Sequence, residues 1–280
     1  MKSRIKLSLV SIIALMFLAS ANIFAQKSVE LKYNIEKGDS YKITNNIDMD
    51  MSFDANGSTM TMESVMDIET TTTVVSLEND EISQEMAFDR IAMNQKIMGM
   101  EINYDSGDST TFSSGLGAQV GAEMNKIIGK SINMVLDKYG NILSIDVAAI
   151  SSTDVANNVT SGNTFAVYPD HKIKVGESWE SDIKPLKDSE MKTHIKYTLL
   201  KTSRKQSTIG VEGIISANEI EGKEIRMEGT TSGEMVVNTK TGMLISSIID
   251  LEMEMDIEQG GTTFPASLMS TSKTNVNKIN

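Results

Sequence analysis

Two histidines, His171 and His194, are the whole imidazole supply of this chain, and it has no cysteine. A thiolate or His-rich metal site is therefore excluded, since zinc-type centres are built from those ligands. No Gly-x-Ser-x-Gly elbow presents a serine to a His and an acid. Lys240-Thr241-Gly242 and Ser270-Thr271-Ser272-Lys273 match two motifs of penicillin-recognising enzymes, but in reversed order and with no Ser-Asp-Asn between them. The first reads better as a hairpin turn. Gly115-Leu116-Gly117 with Gly121 is one residue too long for a dinucleotide loop, and no βαβ unit surrounds it. These residues support no catalytic constellation, no metal and no cofactor, so the chain reads as a non-enzyme.

Asp250, Glu252, Glu254, Asp256 and Glu258 form a row on one strand face, about 7 Å apart at the strand rise. A Ca²⁺ ion takes six to eight oxygens within about 2.6 Å, which one strand cannot supply. A solvated face is the better reading.

Methionine is the unusual supply. After residue 25 the chain holds 18 Met against 11 Leu, and nine of those Met fall between residues 49 and 100. They recur as Met-x-Met: Met49/Met51, Met60/Met62, Met98/Met100 and Met253/Met255, with Met66 beside the second pair. An unbranched, polarizable thioether fills irregular gaps and adapts to varied apolar partners. Three readings stay open: ordinary core residues, a plastic apolar surface for a lipid, an acyl chain or a hydrophobic protein segment, and a thioether site for Cu(I). The candidate ligand-binding set is Met49, Met51, Met60, Met62, Met66, Met98, Met100, Met253 and Met255.

The elements that position these residues follow from period-two alternation. Ile47, Met49, Met51 and Phe53 alternate with Asp48, Asp50 and Ser52. Met60, Met62, Met66 and Ile68 alternate with Thr61, Glu63, Asp67 and Glu69; Met98, Met100, Ile102 and Tyr104 alternate with Glu101, Asn103 and Asp105. Leu251, Met253, Met255 and Ile257 do the same among acids. Alternation puts apolar groups on one sheet face and acids on the other, and one-face-wet sheets are normally antiparallel. Asn56-Gly57, Asn79-Asp80, Glu221-Gly222 and Thr241-Gly242 supply the turns. Helix is scarce: Leu116, Val120, Met124 and Ile127 share one face of a helix over 116–128, stopped by Gly129, and a weaker helical or irregular stretch covers 147–155. If the helix lies over the Met face, it acts as a lid or plug.

The pattern also repeats. Lys37-Gly38-Asp39-Ser40-Tyr41 resembles Val175-Gly176-Glu177-Ser178-Trp179, and Met134–Asp137 with Gly140 resembles Met235–Asn238 with Gly242. Two degenerate meanders predict a mainly β fold: a curved antiparallel sheet, half-open barrel or sandwich with one or two short helices. The expected segments are 26–147, a connector over 148–168, and 169–280, packed as one domain.

These turns, with Phe88-Asp89-Arg90-Ile91, Tyr104-Asp105-Ser106, Asp137…Gly140 and Pro169-Asp170, carry a resemblance to an uncharacterised family of exported proteins. That family is common in Bacteroidota and known only as a domain of unknown function. More distantly, a curved sheet with one helix is similar to the half-open β-barrels of periplasmic lipoprotein carriers. The resemblance implies a fold and a compartment and transfers no catalytic residue.

Lys2, Arg4 and Lys6, the uncharged run Leu7–Ala21, and Ile23-Phe24-Ala25 have the layout of a signal peptide over 1–25, cut before Gln26. The uncharged run is short for a membrane span, and no later run is apolar for long enough. Cleavage moves the net charge from −12 to −15, which argues against nucleic acid or anionic lipid as a partner. The expectation is an exported protein, periplasmic or extracellular, that binds or carries an apolar ligand on a Met-rich face. The alternative is an envelope structural or protein-interaction module without a small-molecule ligand.

Overall fold

A computed structural model describes residues 28–55, 58–112, 115–146, 165–183, 191–220, 223–259 and 262–280. The leader over 1–25, the stretch 147–155 and the Asn56-Gly57 and Glu221-Gly222 turns lie outside the described residues.

Alternation becomes strands β1 (Ser40–Ala55), β2 (Ser58–Glu78), β3 (Glu81–Ile97), β4 (Met100–Asp105), β5 (Ser131–Asp137) and β6 (Ile142–Asp146). The second half supplies β7 (Ser178–Ile183), β8 (Lys192–Thr202), β9 (Gln206–Ile220), β10 (Lys223–Asn238), β11 (Leu244–Gln259) and β12 (Thr262–Lys278). They form one open, wholly antiparallel sheet in the order β6-β5-β3-β2-β1-β12-β11-β10-β9-β8-β7, with β4 also on β3. Asn79 and Asp80 both take positive φ (53° and 65°), as the two-residue β2–β3 turn requires.

The repeat is visible in hydrogen bonds. The Gly38 amide donates to Val74 O and the Val74 amide to Asp39 O, while the Gly176 amide donates to Leu199 O and the Leu199 amide to Glu177 O. Asp39 accepts from the Glu36 amide, and Glu177 from the Lys174 amide. Ser40 bonds Thr73 at 2.8 Å, as Ser178 bonds Thr198 at 2.8 Å. Runs β6-β5-β3-β2-β1 and β11-β10-β9-β8-β7 therefore follow one another in the same sense, with β12 as the joint.

Two straps, residues 28–36 and 165–176, cross one end of the inner face and create the core there. Leu31, Ala166 and Ile173 are buried with Phe88, Leu136, Tyr197, Ile209 and Met235. The straps interlock with both repeats: the Tyr33 amide donates to Lys138 O, Asn34 to Thr241 O and Tyr168 to Tyr139 O. Trp179 stacks on Tyr197 with ring centroids 5.5 Å apart, and its Nε1 donates to Val167 O.

One extra residue explains Phe88-Asp89-Arg90-Ile91. The register steps from Glu69↔Arg90 to Thr70↔Phe88, so Asp89 is a bulge. Phe88 and Ile91 can then both face the core, while Arg90 grips Asp105 with two bonds (3.0 and 2.6 Å) and reaches Glu69 at 3.3 Å.

Helix α1 spans Gly115–Met124, shorter than the predicted 116–128. Its continuation tightens, with Lys126 bonding Glu123 O and Ile127 bonding Met124 O, which drops Ile127 into the core before Gly129 turns at φ 71°. The helix packs against β4 and the 3-10 turn Ser109–Phe112. The expected lid over the central Met strands is thus corrected: α1 sits at the flank, because β4 and the 3-10 turn hold it there.

Candidate functional site

Register decides which side chains share the inner face. Met51 stands opposite Met62 on one side and Leu268 on the other, and Leu268 stands opposite Met253. With Ile97 beside Met62, Gly229 beside Met253 and Ile215 beside Gly229, this makes one row across seven strands. A second row, nearer the strand ends, runs Met60–Phe53–Ala266–Met255–Met227–Ala217. Gly229 matters to the first row, since a Cβ there would lie 3.2 Å from Met253 Cγ and 2.6 Å from Glu252 O. Met253 therefore lies across the space that a side chain would fill.

These rows are not core. Met49, Met51, Met60, Met62, Met253 and Met255 are half-buried and outside the packed cluster, whereas Met66 packs against it. Small polar side chains are buried along this face: Ser64 and Thr231 in the row of Met49, next to the first Met row, and Thr70, Thr72, Ser247 and Thr274 farther along, where Thr70, Thr72 and Ser247 pair with core residues. Asn45 accepts from Ser272 and Thr274.

Two expected members sit apart. Met98 is in the β3–β4 turn at φ 51°, beside Gly99 at φ 79°, and is 63% exposed. Pairing of Ile97 with Met100 leaves 98–99 as a two-residue turn, so the strand placement of Met98 is corrected. Met100 extends the first row past Ile97 but is 52% exposed.

The outer face carries the acids. Asp48, Asp50, Glu63, Asp67, Glu252 and Glu254 are exposed. A cavity of about 400 Å³ at the tips of β1, β11 and β12 is lined by Ser52, Asp54, Arg226, Glu254, Asp256 and Ser267 among others. Most of its walls are outer-face polar groups, with Phe53, Ala266 and Met255 of the second row completing them. His194 lies on this face, its Nδ1 2.8 Å from Asp182 and its Nε2 3.7 Å from Glu180. The hydrogen bond to Asp182, together with the charges of Asp182 and Glu180, raises its pKa above 6.5. His171 is exposed beside Asp170. Ser270 pairs with Met49 and Leu251 on the inner face, while Lys273 is on the outer one, so the Ser-x-x-Lys match has no shared site. Lys240-Thr241-Gly242 is a hairpin turn in which Asn238 accepts from the Lys240 and Thr241 amides.

The family described as "Family of unknown function (DUF6263)" matches residues 79–163 and again 156–244, more than half of the chain. The chain belongs to the DUF6263 family. A comparison with curated protein sequences gives no match. Among solved structures, the DUF6263 chain is similar to one titled "Lipid-protein interactions in lipovitellin", with TM-score 0.54, 8% identity and 87% of this chain covered. It spans 25% of the lipovitellin chain. An outer membrane channel from Pseudomonas putida F1 aligns over 88% of this chain and 97% of its own, but with 8% identity and TM-score 0.27.

Several row members of the DUF6263 chain were not singled out from sequence: Ile97, Ile215, Met227 and Leu268. Gly229 interrupts the alternation after Met227, and Leu268 is flanked by Ser267 and Met269 rather than by acids. Only cross-strand register joins them to Met51 and Met62. No helix among the described residues is long and apolar enough to cross a membrane.

Proposed function

We propose that this DUF6263 chain is an exported, non-catalytic protein that holds a lipid or acyl chain against the Met rows of its inner face. One observation carries the reading: the straps bury one end of that face, while seven Met at the other end, Met227 among them, stay half-buried outside the core. The acids face outward, the reverse of a membrane barrel, whose apolar band faces the lipid. An apolar surface turned inward suits a carried molecule. Each methylene removed from water contributes about 0.8 kcal/mol. Ten would supply about 8 kcal/mol before association costs reduce it. Met repacks readily, which suits chains of different length. The fold shared with lipovitellin, a protein known for its lipid–protein interactions, supports the same reading. Export rests on residues 1–25.

The test begins with mass spectrometry of organic extracts from native protein purified after export, followed by titration with a fluorescent fatty acid. Saturable binding should be lost when Met51, Met62 and Met253 are together changed to Ser. Lipid-free extracts with no saturable binding would refute the proposal.

A further inference from the structure

Strands β1 and β7 begin the two repeats with the same turn and the same bonds to their neighbours, yet their outer sides differ. β1 is covered by β12, with Lys42 opposite Asn277 and Thr44 opposite Asn275. Among the described residues nothing pairs with the outer side of β7. The difference reaches the side chains. Asp39 accepts from the Glu36 amide through one oxygen and from Lys278 of β12 through the other, at 2.5 Å. Its counterpart Glu177 accepts from the Lys174 amide through Oε2 alone among the described residues. Ser40 offers its carbonyl to the Ile279 amide. By the shared geometry, Ser178 turns its backbone toward the open side of β7, and Glu180 and Asp182 follow at alternate positions.

Charge identifies the occupant. Glu180 and Asp182 stand where β1 has Lys42 and Thr44, with side chains 63% and 80% exposed. An acidic edge repels the edges of so acidic a chain, a common device against self-pairing. It favours a basic strand. β12 shows the form that fits beside a repeat's first strand: no acid from Thr262 to Lys278, lysines at 273 and 278, and Thr274 and Val276 buried.

We propose that the outer edge of β7 is a docking site for an extended segment of a partner protein. The segment adds antiparallel as a further strand, as in other cases of strand addition to an exposed sheet edge. It places Lys or Arg opposite Glu180 and Asp182, and a further basic group near Glu177. Small or β-branched residues alternate with these and face the Trp179 and Ile183 side.

The probe is a fluorescent peptide of the chain's own residues 267–280 carrying Asn275→Lys and Asn277→Lys. Its companion carries Glu at both positions. The lysine peptide binds the wild-type protein saturably, and Glu180→Lys with Asp182→Lys weakens it about tenfold, as two attractive cross-strand pairs become repulsive. The glutamate peptide shows the opposite preference. Glu180→Pro, which removes an outward amide at a position where edge strands tolerate proline, prevents binding of both. Circular dichroism stays unchanged in these surface variants. No saturable binding of the lysine peptide, equal affinity of wild type and both variants, or wild-type self-association through this edge would each overturn the proposal.

Discussion

The hydroxyl of Tyr168 donates to the carbonyl of Gly242 at 2.5 Å, joining the second strap to the hairpin between β10 and β11. The first strap touches the same residue, since a Cβ on Gly242 would lie 2.3 Å from Lys32 O. Gly242 also takes φ 69°, a region costly for other residues. The fit of the first strap thus depends on one missing methyl, as that of the second does at Gly140, where a Cβ would lie 2.4 Å from Ala166 O.

Gly242→Ala should therefore cost on the order of 3 kcal/mol, from backbone strain and displacement of buried main chain. Gly38→Ala is the control: φ is 92°, but nothing lies within 4 Å. It should cost about 1 kcal/mol from strain alone. Tyr168→Phe should cost about 1–2 kcal/mol by leaving a buried carbonyl unpaired. Urea unfolding of the three variants tests this, and equal losses at Gly38 and Gly242 would show that the strap contact contributes nothing.

Replacing Met253 separates the two faces. It is half-buried beside Leu268 and over Gly229, so Met253→Asp should cost about 2 kcal/mol, less than in a closed core. Glu254 is exposed on the outer face, and Glu254→Gln should cost about 0.5 kcal/mol or less. Comparable losses in thermal unfolding would contradict the observed register.

His194 gives a pH signature. Its folded pKa is raised by Asp182, so the protonated ring favours the folded state. That contribution is fully present below about 6.5, the unfolded value, and is lost as pH rises through the higher folded value. NMR titration should find His194 above 6.5, and Asp182→Asn should lower it. An unchanged midpoint in that variant would show that another group holds the imidazole.

Much of this protein could be read from residue order alone. Strict alternation around Met51, Met62 and Met253 reveals which groups share a face, because the strand period of two depends only on local backbone geometry. Asn79-Asp80 and the Gly-acid-Ser-aromatic turns at 38–41 and 176–179 mark turns and a repeat for the same local reason. What depends on distant pairing was decided by tertiary structure. Residues as remote as Met51 and Met253 enter one row only through β12, and Met98 leaves it because Ile97 pairs with Met100. Straps 28–36 and 165–176 look like ordinary connectors until Gly140 and Gly242 let their backbones approach. They determine which half of one apolar face becomes core and which stays open, since alternation orients a side chain but cannot say what will cover it.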